Sequence, residues 1–122
     1  EGRRQARRIG TAFRENGISN ARVLSSRWCR CLETARLLEL GPVEPLPPLD
    51  SFFNQPGRGP AQTAALREFL SRPHEGLPRV LVTHQVNITG LTGVVPRSGE
   101  MVVVQSTADG GVQVMGRLEP GR

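Results

Sequence analysis

Ala21-Arg22-Val23-Leu24-Ser25-Ser26-Arg27-Trp28-Cys29-Arg30-Cys31-Leu32-Glu33-Thr34-Ala35 is the stretch on which the fold turns. Residues 21–25 are a short apolar run, consistent with a buried strand. Ser25 and Ser26 follow it. From Trp28 to Leu40 the pattern becomes helical, with Leu32, Ala35, Leu37 and Leu38 as the apolar side. A later segment has the same order. Val80-Leu81-Val82-Thr83 is unbroken and β-branched, as a central parallel strand is expected to be. His84 stands at its C-terminal end, and Val86 to Thr92 reads as a short helix.

Around these two units the remaining elements fall into place. Glu1 to Asn16 is predicted helical, with Ala6, Ile9, Gly10, Ala12 and Phe13 on one face and arginines on the other. Gly17 stops it in the usual C-terminal position. Gly41 to Pro60 reads as a loop rich in proline and glycine, anchored by Phe52 and Phe53; a loop of that length inside a compact domain is often functional. Ala61 to Ser71 is a third helix and Pro73 to Pro78 a turn. Met101 to Gln105 and Val112 to Arg117 are strands of a hairpin closed around Asp109-Gly110-Gly111. Alternating helices and strands argue for an α/β sandwich with a mostly parallel sheet, one domain over residues 1–122, without internal repeats. In such sheets ligands bind beyond the carboxyl ends of the strands. Ser25-Ser26 and Thr83-His84 are therefore the places to look.

Composition narrows the ligand. The chain of 122 residues carries a formal charge of +5 and contains no lysine, so all 16 basic residues are arginine. A coding bias towards arginine accounts for part of this. Arginine is also the side chain best suited to planar, bidentate recognition of phosphate. An anionic small-molecule substrate fits this charge. Nucleic acid fits it less well, because no basic stripe carries interleaved aromatics. The cluster Arg3, Arg4, Arg7 and Arg8 reads as a solvated helix face. Cys29 and Cys31 are too close in sequence to pair with each other readily, and no second ligand pair makes them a zinc site. They read as free thiols in a packed helix or as partners for cysteines outside this chain, compatible with a cytoplasmic or an exported location. No window reaches the ~18 apolar residues of a membrane span. The chain does not begin with Met, and its true N-terminus is expected to lie upstream.

Three elements together resemble the histidine phosphatase superfamily, the phosphoglycerate mutase-like proteins. Ser26-Arg27-Trp28-Cys29-Arg30-Cys31-Leu32-Glu33-Thr34-Ala35 is similar to that family's Ser-x-x-x-Arg-x-x-x-Thr-Ala element, and Val82-Thr83-His84-Gln85 to the strand end that bears its second catalytic histidine. Glu1-Gly2-Arg3-Arg4-Gln5-Ala6 resembles its Glu-Gly-x-x-Gln-Ala helix start. The resemblance spans Glu1 to about Val104. It implies a phosphoglycerate mutase-like three-layer sandwich whose first strand is missing, and a phosphomonoester hydrolase working through a phosphohistidine, with no metal or cofactor. In these roles Arg30 binds the phosphoryl oxygens and His84 stabilises the charged transition state. Ser26 is a further phosphate ligand or a cap of the helix that follows.

The family's nucleophilic histidine belongs to an Arg-His-Gly or Arg-His-Ala motif, which this sequence lacks. Its two histidines are His84 and His74, and His74 reads as an exposed loop residue. The chain as given is therefore expected to be inactive. It is read either as part of a longer enzyme or as a non-catalytic phosphate-binding module, with a basic nucleic-acid-binding domain as the rival from another class. The candidates for a general acid are Asp50 and Glu100, each also readable as a structural carboxylate. Arg27 reads as a pocket residue or a solvent-facing one, and Trp28 as core or pocket wall. Thr83, Gln85 and Asn87 are the candidates for orienting the imidazole of His84.

Overall fold

The structure, a computed structural model, describes residues 2–72 and 76–119. It is α/β. Helix α1 (Gly2–Glu15) leads into strand β1 (Arg22–Ser25), helix α2 (Cys29–Leu37) and strand β2 (Val43–Pro45). Two single 3-10 turns at Pro47–Leu49 and Pro56–Arg58 lead to helix α3 (Gly59–Ser71). Strand β3 (Arg79–Val82), helix α4 (Gln85–Thr92), and strands β4 (Met101–Ser106) and β5 (Val112–Leu118) complete the order.

Strands β2, β1 and β3 form a parallel sheet in that order, with Val23 level with both Val43 and Val80, and Ser25 level with Pro45 and Val82. Successive residues of a strand face opposite sides, and each side of β1 has its own core. Val23 packs with Ala35, Leu38 and Leu40, joined by Ile9 and Phe13 of α1. Leu24 packs with Leu49 and Leu66, joined by Phe69 of α3 and Leu91 of α4. Val23 and Leu24 are fully buried, which stabilises the fold by roughly 1.5–3 kcal/mol for each side chain. The hairpin β4–β5 is a separate antiparallel ribbon. In its turn the Asp109 carboxylate accepts the Gly111 N–H, and Gly110 adopts a φ of +85° that favours glycine.

Helix ends follow local chemistry. Gly17, at φ +86°, closes α1, where the Ile18 N–H reaches back to the Phe13 carbonyl. The second helix is shorter than expected from the sequence: Trp28 precedes its first turn and Leu38 ends it.

Two expectations are corrected. The stretch from Gly41 to Pro60 is not one loop, because Val43–Pro45 pairs in parallel with β1. Backbone pairing to a buried neighbour builds this strand, and its own side chains are half or fully exposed. Strand β3 is not central, because β1 occupies the middle of the sheet. The outer edge of β3 pairs with no strand among the described residues, and all four of its residues are only half-buried. His74 lies outside the described residues.

Candidate functional site

The carboxyl ends of β1 and β3 lie side by side, and the residues immediately after them meet. Ser26 follows β1 and is fully buried; His84 follows β3, precedes the first turn of α4 and is also buried. The Ser26 hydroxyl is 2.9 Å from His84 Nε2. Cys31, on the first turn of α2 and facing the sheet, brings its sulfur to 3.5 Å from the same nitrogen. The Trp28 ring meets the imidazole edge-on, with centroids 4.6 Å apart. The Arg30 guanidinium lies over the same indole, 5.5 Å from the Trp28 ring centroid. Arg30 is exposed and has no carboxylate partner among the described residues.

Asp50 enters from the end of the first 3-10 turn. Its Oδ1 accepts the Arg27 backbone N–H at 2.7 Å and lies 3.3 Å from Ser26 Oγ, while Oδ2 accepts the Arg27 guanidinium at 2.8 Å. The turn itself is clamped. Gln62 of α3 and Asn87 of α4 both donate to the carbonyls of Pro48 and Asp50, the latter at 2.7 and 2.8 Å, and the Thr83 hydroxyl donates to the Leu49 carbonyl. Both Asn87 bonds are N–H donations to carbonyls, so its amide orientation is set, and its buried Oδ1 is left without a partner.

Charge and burial tune these groups. Burial, and then the Arg30 charge, lower the basicity of His84 below the ordinary histidine value, partly offset by the Asp50 charge. The ring is therefore neutral around pH 7. Burial pushes the Cys31 thiol up against the opposing Ser26 hydroxyl and Arg30 charge, so the sulfur keeps its proton. Partial burial raises the Asp50 carboxyl, but the Arg27 hydrogen bonds and charge and the Ser26 hydroxyl outweigh it and hold the group below the ordinary carboxylate range.

The sequence candidates separate accordingly. Arg30, His84, Ser26, Asp50, Trp28 and Arg27 converge, with Arg27 tied to Asp50 rather than free. Glu100 does not join them. It binds Arg117 at 2.6 Å and the Arg97 N–H at 2.9 Å, which hold its carboxyl at about 2. Neither general-acid candidate has the raised pKa that favours the role: Asp50 and Glu100 are both held below the ordinary carboxylate range. Ser26 is not the residue preceding helix α2; it accepts the Trp28 N–H at 3.2 Å two residues on. None of Thr83, Gln85 and Asn87 touches the imidazole, because their side chains are spent on the carbonyls of Leu49, Pro96, Pro48 and Asp50. Ser26 and Cys31 hold the ring instead. The Cys31 contact leaves no sequence signal, because a free thiol in a packed helix reads alike whichever neighbour it meets. Gln62 left no signal, since any polar helix residue reads alike.

Cys29 and Cys31 are free, the first exposed and the second buried. No group of three or more metal-ligating side chains occurs among the described residues, and no described helix is long and apolar enough to cross a membrane. A separate hollow is lined by Arg67, Leu91 and residues 109–112, none of them part of the cluster. Comparison with protein-family models, curated proteins and solved structures finds no match to this chain.

Proposed function

We propose that this chain carries the phosphate-holding half of a histidine phosphatase, on a phosphoglycerate mutase-like three-layer sandwich. The reaction is hydrolysis of a phosphomonoester through a phosphohistidine formed on a residue outside these 122. One observation carries the reading. An uncompensated guanidinium, Arg30, stands in the first turn of the helix after β1, and its charge acts on a buried neutral imidazole at the end of the adjacent parallel strand. A phosphoryl group seated there would meet the Arg30 guanidinium, the N-terminal turn of α2 and a hydrogen-bonding ring. The half-buried edge of β3, which pairs with no strand among the described residues and runs into His84, also supports the reading, since a strand bearing a nucleophile could pair there. With Asp50 and Glu100 both held below the ordinary carboxylate range, a non-catalytic phosphate binder on the same fold is the second reading.

The test is para-nitrophenyl phosphate hydrolysis by the protein extended through its encoded upstream residues. Turnover that Arg30→Ala and His84→Ala each abolish is expected. Phosphate binding without turnover would select the non-catalytic reading. Salt-dependent binding of arbitrary duplex, indifferent to Arg30→Ala, would select nucleic acid.

A further inference from the structure

We infer that Asp50, acting through Ser26, locks His84 as its Nε2–H tautomer and leaves Nδ1 as the ring atom that meets the ligand. The lock follows from counting donors and acceptors. The Ser26 hydroxyl has one proton and two lone pairs, and four groups approach it; the neutral Cys31 thiol, a weak acceptor, competes poorly for that proton with an ionised carboxylate. The Trp28 N–H can only donate and takes one lone pair, at 3.2 Å. The ionised Asp50 Oδ1 can only accept and takes the proton, at 3.3 Å. His84 Nε2, at 2.9 Å, is left facing the second lone pair and must itself carry a hydrogen.

The opposite arrangement, with Ser26 donating to Nε2, points an oxygen lone pair at a carboxylate and gives up the charge-assisted bond, the stronger kind. Cys31 reinforces the same choice. Its protonated sulfur lies 3.8 Å from the Thr83 carbonyl, to which the S–H donates, so its lone pairs also face Nε2. Asp50 is thus a positioning residue, and the Gln62 and Asn87 clamp on its backbone fixes the distance.

The hydrogen bonds of the His84 ring are all at Nε2 among the described residues. Asn87 Oδ1 is the one sealed, unpartnered side-chain nitrogen or oxygen among the described residues, so Nδ1 is not fully sealed, in a residue that is 8% exposed. The charged and titratable groups acting on the ring are Arg30, Asp50 and the neutral Cys31. Granting the phosphate reading above, a phosphoryl dianion beside Arg30 raises the basicity of Nδ1. The ring then takes one proton from solvent there and donates Nδ1–H to a phosphoryl oxygen, with Nε2–H still bonded to Ser26.

The experiment is long-range proton–nitrogen correlation NMR on the 15N-labelled chain carrying His74→Ala, so that His84 is the single histidine. Spectra are recorded above about pH 8, where imidazole is neutral. The expected pattern has a protonated Nε2 and a bare Nδ1. Asp50→Ala should shift it towards Nδ1–H, because the freed Ser26 proton turns to Nε2; the clamp engages backbone carbonyls and survives this change. Asp50→Asn keeps an amide oxygen for Ser26 and should retain the original pattern. A purely structural role for Asp50 would not separate these two variants. Nδ1–H in the unsubstituted site, or a pattern indifferent to Asp50→Ala, overturns the lock. Inorganic phosphate should move Nδ1 together with the Arg30 side-chain signal. Movement of Arg30 alone overturns the Nδ1 assignment. Movement of neither overturns the phosphate reading and that assignment with it, while the tautomer is decided separately by the ligand-free spectra.

Discussion

Gly10→Ala separates the packing of α1 from its helix propensity. Gly10 lies in the middle of α1, where alanine is intrinsically favoured by about 1 kcal/mol. In the folded chain a β-carbon there would stand 2.2 Å from the Leu38 carbonyl oxygen and 2.9 Å from the carbon and Cα of the same residue. A carbon–oxygen contact settles at roughly 3.3 Å, so the two backbones would have to part by about 1 Å. That carbonyl cannot easily retreat. It ends α2, accepts the Arg14 guanidinium at 2.7 Å, and belongs to a residue whose side chain is buried in the α1–α2 core. Overpacking of this kind costs about 1–3 kcal/mol, and a rigid backbone neighbour puts it at the upper end. Net of propensity, Gly10→Ala should destabilise by about 1–2 kcal/mol, a large part of a small domain's stability of about 5–15 kcal/mol. Urea titration followed by circular dichroism measures this as a lower midpoint at unchanged slope. Gly2→Ala, whose β-carbon meets nothing within 4 Å, is the control and should stay within about 0.5 kcal/mol of the parent. A Gly10→Ala chain as stable as the parent would refute the close approach of α1 to the end of α2.

Three further outcomes are expected. Asn87→Ala should cost about 1–3 kcal/mol, and combining it with Gln62→Ala should cost more than the sum, because the Pro48 and Asp50 carbonyls then lose both donors; a double-mutant cycle in urea checks this. Glu100 should titrate at about 2 by carboxyl NMR, and Arg117→Gln should move it up towards 4.5. Its pairing therefore supports the fold fully above 4.5 and fades as pH falls towards 2, so Glu100→Gln should show a shallower acid loss. The lowered basicity of His84 means the unfolded chain takes the proton first. The stability its neutral ring supplies is complete above 6.5 and is lost as pH falls through the window below that value, and His84→Gln should flatten that part of the pH–stability curve.

The fold was legible where a pattern repeats over a whole element. Strand β1 and helices α1 and α3 lie within two or three residues of their expected bounds, because periodic apolar residues mark a buried face. Strand β2 was hidden because only Val43 of its three residues packs against the core; the strand pairs through its backbone, and one of its residues is a proline. The position of β3 was misjudged for a different reason. Its uninterrupted Arg79-Val80-Leu81-Val82 run reports apolar surroundings above and below the strand, where Val80 and Val82 join one core and Leu81 the other. It carries no information about what lies beside the strand, because lateral neighbours meet backbone rather than side chains.

The same distinction governs the site. Arg30 and His84 were readable because strand ends in a parallel sheet converge, which topology alone dictates. The roles of Asp50 and Ser26 were not readable, because each depends on a partner's protonation state. Asp50 has the right residue type for a proton donor and lies two residues from the Pro48 carbonyl on a clamped turn. The Arg27 bonds that fix it also keep it ionised. A carboxylate cannot both accept the Ser26 proton permanently and surrender one to a leaving group. Its service to His84 therefore argues against acid catalysis by Asp50, and the Arg117 pairing argues the same for Glu100. On this reading the leaving group's proton comes from a group other than these two. Substrates whose leaving oxygen needs no proton, such as para-nitrophenyl phosphate, should be far less sensitive to that donor's loss than alkyl phosphates. Comparing Asp50→Asn with the parent on both substrate types decides the point: an alkyl-selective loss would restore Asp50 as the acid, and equal effects on both would leave it a positioning residue.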